Sequence, residues 1–222
     1  MSGEPASHWE ELLDLALQII MRANSDGPAI ENWTLGGGTA LMLQLDHRES
    51  FDIDIFLDDP QALAFLDPGR RDIALSTPFD GHDGDGARFA KFAFNGLGEI
   101  DFICAASLTD VPARPFAIGK RTILLETPEE IAAKKIVYRG AALQPRDMFD
   151  IAAILQAHGP ARLAAALAPY ETACETALKT ARGMSGQFAE TIMKALMIRP
   201  GGKHLAETAR VAVIDFLAQT PE

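Results

Sequence analysis

Cysteine is scarce in this sequence, and its placement excludes two kinds of site. Only two of the 222 residues are cysteine, Cys104 and Cys174. They lie far apart and form neither a Cys-x-x-Cys pair nor a zinc-ligand spacing. No disulfide framework is predicted, and a reducing cytoplasm is the simplest setting for the chain.

Long apolar runs are also missing. No run reaches the length of a membrane span, and the opening MSGEPASHWEE lacks the basic region and apolar core of an export signal. Hydrophobic residues make up 48% of the chain and charged residues 23%, which is typical of a soluble globular protein. A length of 222 residues allows one large domain or two small ones.

Positive charge is in deficit. The chain has 20 Lys and Arg against 31 Asp and Glu, which gives a formal net charge of −11. This balance counts against broad, non-specific binding of nucleic acid, because such binding needs a basic surface. A local basic groove or a basic protein partner is still compatible with it.

The signatures of several enzyme classes are absent. The glycines at 36–38 are not followed by the Gly-Lys-Ser/Thr of a P-loop, and Leu41 stands where a dinucleotide-binding fingerprint has its third glycine. The five histidines are scattered and form no His-Glu-x-x-His pair. The acidic, glycine-rich stretch at 80–86 has the wrong spacing for a calcium loop, and we predict a hairpin loop there.

What the sequence does contain is one organised stretch, residues 33–56. A short apolar strand leads to three glycines, a helical segment over 40–45 and a polar corner at 46–50. The segment Phe51–Phe56 then alternates between apolar and polar residues, so Asp52 and Asp54 share one face of a strand. Two such carboxylates repel each other unless a cation compensates, and magnesium prefers oxygen ligands of this kind.

The glycines suit the other half of such a site. Without a Cβ atom they let the backbone approach a ligand closely, and Thr39 can cap the following helix, whose first amides would face an anion. Taken singly, Asp-x-Asp is common on exposed strands and Gly-Gly-Gly is often only a turn. Together, in strand–glycine–helix–strand order, they favour a phosphate-and-metal site.

The ordered motifs of this stretch resemble those of the nucleotidyltransferase superfamily related to DNA polymerase beta. More narrowly, they resemble the AbiEii/AbiGii branch, known for toxins of bacterial toxin–antitoxin and phage-abortive systems. The matching elements are a Gly-Gly-Thr turn, a His-Arg-x-Ser corner and an Asp-x-Asp strand. In this sequence they are Gly37, Gly38 and Thr39; His47, Arg48 and Ser50; Asp52 and Asp54.

The resemblance implies a role for each of these residues. Asp52 and Asp54 would bind two Mg²⁺ ions, and the turn residues would contact the phosphates of an NTP. A third carboxylate, Asp101, would complete the metal site and help deprotonate the acceptor, with Glu99 as the alternative. His47, Arg48 and Ser50 would contact the nucleotide, although the first two also suit a role in bracing the corner.

Two further motifs lie in the second half of the chain. Thr127, Pro128 and Glu130 are a strong helix start, and the resemblance implies that Lys135 on this helix holds the triphosphate, with Lys134 as the alternative. Residues 145–151 open the next helix. There the resemblance implies that Asp147 holds Lys135 or a metal-bound water, with Asp150 as the alternative. Without the resemblance, all four side chains would be read as ordinary helix charges.

The predicted fold class is α+β. A nucleotidyltransferase core with a mixed or antiparallel sheet and flanking helices covers residues 1–125, an α-helical domain covers 126–222, and the active site lies between them. Helices are predicted at 7–23, with Ser7 as N-cap, at 127–139 and at 145–158, and two or three more over 161–219. No internal repeat is evident.

The predicted function is Mg-dependent transfer of a nucleotide from an NTP to RNA, at the 3′ end of tRNA, as the toxin partner of a cognate antitoxin. One alternative is an enzyme that modifies a small molecule such as an antibiotic. Another is a catalytically inactive domain that binds proteins. Nucleotide and metal binding would separate the last from both enzymes.

Overall fold

The computed structural model describes residues 7–26 and 30–219. Within them no single helix is long and apolar enough to cross a membrane. The segments Pro145–His158 and Pro160–Gly183 reach the required length and composition only when taken together, and the chain bends by 119° between them. The strands are β1 (Trp33–Gly36), β2 (Ile53–Leu57), β3 (Gly81–Gly84), β4 (Phe89–Phe94), β5 (Gly98–Cys104), β6 (Ala113–Ile118) and β7 (Arg121–Glu126). The α-helices are α1 (Trp9–Ala23), α2 (Gly37–Leu45), α3 (Pro128–Arg139), α4 (Pro145–His158), α5 (Pro160–Leu167), α6 (Glu171–Gly183), α7 (Gly186–Lys194) and α8 (Leu205–Gln219).

The strands form one mixed sheet in the order β3-β4-β5-β2-β1-β7-β6. β1 is antiparallel to β2, as β4 is to both β3 and β5. β2 and β5 are parallel, and so are β1 and β7. The central position of β2 and β5 places the predicted acidic residues in the middle of the sheet.

The chain divides into two compact units. The sheet unit comprises the described residues up to Ala40, with Ser50–Ser107 and Pro115–Leu125. The helical unit comprises Leu41–Glu49, Leu108–Arg114 and the described residues from Glu126 onward. The single domain boundary near residue 125 stays a prediction.

Burial in the sheet unit follows the alternation of the strands. Ile53, Ile55 and Leu57 of β2 are buried, and the residues between them are only half-buried. On β5 the buried pair is Ile100 and Phe102. Helix α1 and a 3₁₀ helix over Pro60–Leu66 pack against these strands and supply apolar side chains, so one face of the sheet is apolar core. The opposite face is therefore left for polar residues.

The helical unit has its own core. Helix α8 packs against α4, α6 and α7, and α3 packs against α4, α5 and α6. Helix α3 begins as predicted, because Pro128 occupies its first turn and the Thr127 hydroxyl accepts a hydrogen bond from the Glu130 amide at 3.3 Å. The predicted helix at 145–158 is confirmed, with Pro145 as its first residue.

Several local expectations were wrong. Helix α1 begins at Trp9 with His8 as N-cap, and the Ser7 hydroxyl instead donates to the Ser50 carbonyl. The stretch predicted as a hairpin loop contains an edge strand, β3, which gains its hydrogen bonds from β4. Strands β6 and β7 precede the helical part and were not predicted. Four α-helices, rather than two or three, follow Gly159.

Candidate active site

A row of polar residues crosses one face of the sheet. Directly paired positions link Asp83 of β3 to Lys91 of β4, Lys91 to Asp101 of β5, Asp101 to Asp54 of β2, and Asp54 to Gly36 of β1. Since paired residues on neighbouring strands project to the same side, these side chains share one face. Asp54 and Asp101, predicted from separate parts of the sequence, are therefore neighbours. We call Asp101 and Asp54 the acidic row; Lys91 lies beside it.

The glycine turn makes room for the Asp54 carboxylate. Gly37 has a positive φ of 65°, a conformation that favours glycine. A Cβ atom at Gly37 would lie 1.8 Å from Asp54 Oδ2, far inside contact distance. The absence of a side chain at this position is thus what allows the Asp54 carboxylate to lie against the start of α2. Gly38 follows as the second, half-buried residue of the helix.

Burial and a neighbouring carboxylate both disfavour the charged form of Asp101. Burial of its carboxyl, and then the nearby charge of Asp54, raise the pKa of Asp101 to about 6. The Lys91 ammonium opposes this shift and lies 3.4 Å from Asp101 Oδ2. A carboxylate in this position lacks sufficient positive charge, so an additional cation would be favourable there.

Asp52 has a hydrogen-bond partner of its own. Its Oδ1 accepts a hydrogen bond from the Glu99 amide at 3.1 Å. The carboxylate of Glu99, the alternative to Asp101, is bound by Lys91 instead. Asp54 and Asp101 thus share the row, whereas Asp52 lies beside the start of β5.

The predicted cap at Thr39 was wrong. Helix α2 already begins at Gly37, so Thr39 lies inside its first turn. Its hydroxyl is fully buried and donates to the Asp52 carbonyl at 2.5 Å. Thr39 therefore ties the helix to the residue that precedes β2, and it positions the backbone of the Asp-x-Asp segment.

The acidic row fits a hard cation through its donor set. Among residues 7–26 and 30–219, no three His, Cys, Asp or Glu side chains are grouped closely enough to form a complete metal site. Magnesium, however, is commonly bound by one or two carboxylates together with substrate phosphates and water. The adjacent Asp54 and Asp101 carboxylates, with the cradle at Gly37, meet that requirement.

Sequence reasoning missed Lys91. The alternation FAKFAF places this lysine on the polar face of β4, and that signal was available. The strand register, which sets Lys91 directly opposite Asp101, could not be predicted from this alternation.

The helical unit contains a second polar cluster, centred on Asp150. Arg48 binds this carboxylate with both ends of its guanidinium, at 2.7 Å from Nε and 2.8 Å from Nη2. His47 Nε2 lies 2.9 Å from the same carboxylate, and Lys135 Nζ lies 3.0 Å away. Asp150 is fully buried, which favours its neutral acid, but the Arg48 and Lys135 charges outweigh burial and hold the pKa of Asp150 well below its ordinary value. These contacts to Asp150 are of the kind that the predicted bracing role of His47 and Arg48 requires.

Lys135 faces inward and is shared between two carboxylates. Its ammonium lies 2.7 Å from Asp147 Oδ1 as well as 3.0 Å from Asp150. The other oxygen of Asp147 accepts from the Gln144 amide at 3.1 Å and lies 3.5 Å from Arg139. The structure thus brings Lys135, Asp147 and Asp150 together.

Lys134, the alternative to Lys135, has partners of its own. Its ammonium donates to Glu126 Oε1 at 2.5 Å and lies 3.6 Å from Glu130. Glu130 does not close a capping box, because its carboxylate accepts hydrogen bonds from the Leu108 and Thr109 amides. It therefore fastens the 108–114 segment to the helical unit. Ser50, predicted near the nucleotide, is buried in the sheet unit.

The fold resembles that of a solved nucleotidyltransferase toxin. MenT4, a nucleotidyltransferase toxin from Mycobacterium tuberculosis, matches with a TM-score of 0.55 at 17% identity, over 94% of this chain and 83% of that one. JHP933 from Helicobacter pylori matches with a TM-score of 0.49 at 14% identity, over 98% and 93% of the two chains. At 17% identity the likeness to MenT4 shows the fold alone, and it confirms the predicted fold class. No curated protein matches the sequence.

The family is shown by the sequence itself. The model of the family described as nucleotidyl transferase AbiEii toxin, type IV toxin–antitoxin system, matches residues 19–221. The chain therefore belongs to this family of nucleotidyltransferase toxins, as the motifs at 37–54 predicted.

Proposed function

We propose that this protein transfers a nucleoside monophosphate from an NTP to an acceptor hydroxyl in a Mg²⁺-dependent reaction. The observation that carries the proposal is the acidic row: Asp54, fitted against Gly37, lies directly beside Asp101 on the same face of the sheet. Two adjacent carboxylates with a surplus of negative charge are suited to a divalent cation and the phosphates it brings. Membership of the AbiEii family supports the same reaction class.

The residues of the sheet unit have distinct proposed roles. Asp54 and Asp101 hold the cations, and Asp52 joins them by turning from the Glu99 amide. Mg²⁺ held by these carboxylates, as two ions in our proposal, would supply the positive charge that offsets the charge developing on the NTP phosphates as pyrophosphate leaves. The amides of Gly37 and Gly38, in the first turn of α2, would bind the phosphates. Asp101 accepts the proton of the attacking hydroxyl.

The proposed roles in the helical unit rest on the family likeness. Lys135 neutralises the triphosphate, and Asp147 keeps its ammonium in position through the contact at 2.7 Å. Asp150 holds Arg48 and His47 as a rigid corner, which supports the bracing role over direct nucleotide contact.

The acceptor we propose is RNA, at the 3′ end of tRNA. A net charge of −11 disfavours tracking along a nucleic acid backbone, so we propose recognition of a single end rather than of a long duplex. Family membership further supports a toxin with a cognate antitoxin, and we propose that it acts in the cytoplasm. Growth arrest on expression, reversed by the neighbouring gene product, would test that partner; growth unaffected by an active enzyme would contradict the toxin role.

A transfer assay tests the reaction. Purified protein is incubated with each labelled NTP, Mg²⁺ and total bacterial RNA. We expect label in a discrete RNA species, and a loss of about 10³-fold or more with Asp52→Ala plus Asp54→Ala, since the lost charge stabilisation is worth several kcal/mol. Asp72→Ala, at an exposed carboxylate of the sheet unit, is the control and should retain activity. Transfer that survives the double substitution would refute the proposal.

A further inference from the structure

Lys91 lies where a cation would be expected on the acidic row. Its ammonium lies 3.4 Å from Asp101 Oδ2 and donates to the Glu99 carboxylate. The side chain is only 32% exposed, so most of its stem lies along the sheet. Lys91 and Asp101 are also directly paired residues of β4 and β5. The ammonium therefore sits against a predicted metal ligand.

The two carboxylates that Lys91 contacts differ in their surroundings. Asp101 is 21% exposed and has the charge of Asp54 beside it, whereas Glu99 is 44% exposed. A lysine side chain has a flexible four-carbon stem and an ammonium that binds as a point charge. Lys91 can thus release Asp101 and stay bound to Glu99 without leaving the surface.

We propose that Lys91 is a resident counter-cation of the acidic row, which holds Asp101 until a divalent cation displaces it. This inference rests on the proposed function, because it presumes that a divalent cation binds to Asp54 and Asp101. Lys91 is a positioning residue: in the absence of metal it offsets the charge of Asp101 beside Asp54, and it competes with the metal for Asp101.

Competition and simple bracing predict opposite changes in the affinity for a divalent cation when the charge of Lys91 is removed. If Lys91 competes, removal of its charge strengthens binding of a divalent cation, since no ammonium has to be displaced. If Lys91 only braces β4 against β5, its removal loosens the row and weakens binding. The sign of the change in cation affinity therefore separates the two roles without any measurement of transfer activity.

The test is calorimetric titration of the full chain with Mn²⁺ in the absence of nucleotide. We expect Lys91→Met and Lys91→Gln to bind Mn²⁺ about two- to fivefold more tightly than the wild type, the range of a partly exposed charge pair. Lys91→Arg keeps the positive charge and should bind no more tightly than the wild type. Lys120→Met removes the same charge from an exposed position at the turn between β6 and β7, and should leave the affinity unchanged.

Each other result has a distinct meaning. Equal or weaker Mn²⁺ binding by both neutral variants, with binding still lost in Asp54→Asn, would overturn the role of Lys91 and leave the metal site standing. Tighter binding by Lys120→Met as well would also overturn it, because net charge alone would explain the effect. No Mn²⁺ binding by any variant, the wild type included, would overturn this inference alone, because the transfer assay with NTP present tests the proposed function separately. Circular dichroism spectra matching the wild type establish that the variants are folded.

Discussion

Replacing Asp101 by asparagine should stabilise the metal-free protein. Burial and the charge of Asp54 raise the pKa of Asp101 from 3.8 to about 6. The folded chain therefore binds this proton more tightly than the unfolded chain, and the difference of about 2 between the pKa values corresponds to ~3 kcal/mol. Solvent reaches 21% of the side chain, so we reduce the expected gain for Asp101→Asn to about 2 kcal/mol.

The pH dependence of this gain follows from the direction of the shift. Because the folded pKa is the higher one, ionisation of Asp101 destabilises the fold, and stability from this group is lost as the pH rises from about 4 to about 6. Asparagine does not ionise. The gain should therefore be complete above about pH 6 and small near pH 4.

Urea unfolding in the presence of EDTA measures this difference. Trp9 and Trp33, the two tryptophans of the chain, both lie in the sheet unit, so their fluorescence reports on the unit that contains Asp101. Asp72→Asn removes an exposed carboxylate of the same unit and should change the free energy of unfolding by less than ~0.5 kcal/mol. No stabilisation by Asp101→Asn near pH 7.5, or an equal stabilisation near pH 4, would refute the reasoning.

Two further substitutions test the surroundings of the sites. Gly37→Ala should destabilise the sheet unit by at least ~1 kcal/mol more than Gly86→Ala in the same urea experiment, because both glycines have positive φ but only the first would bring a Cβ atom against Asp54; equal losses would contradict this. Asp150→Asn should cost about 3 kcal/mol, measured by circular dichroism of the helices, against almost nothing for the exposed Asp215→Asn. Since the pKa of Asp150 is depressed in the folded chain, the stabilisation from its charge is present above pH 3.8 and should be lost as the pH falls below that value. A cost of Asp150→Asn that is found at neutral pH but not at about pH 5 would count against this reasoning.

The sequence was sufficient to predict the faces of the strands. Alternation over 51–56 identified which side chains lie opposite the core, because a strand has a fixed period of two. It was also sufficient for α3 and α4, whose starts are marked by proline.

Register and tertiary partners lay beyond the sequence. Pairing of Lys91 with Asp101 depends on how β4 and β5 align, which no local pattern specifies. Thr39 has the right chemistry for a helix cap, but its hydroxyl bonds to a residue 13 positions later. The same holds for Asp150, whose neutralising partner Arg48 is 102 positions away. From the sequence alone, a charged residue on an amphipathic helix is predicted to be exposed to solvent, because its tertiary partners are not visible there.

The most direct test of the account is calorimetry with ATP, CTP, GTP and UTP in the presence and absence of Mg²⁺. We predict that at least one nucleotide binds only when Mg²⁺ is present, that Asp54→Asn abolishes this binding, and that Asp72→Asn preserves it. Nucleotide binding that is independent of Mg²⁺ and unchanged by Asp54→Asn would contradict the assignment of the acidic row, and so would a failure of all four nucleotides to bind.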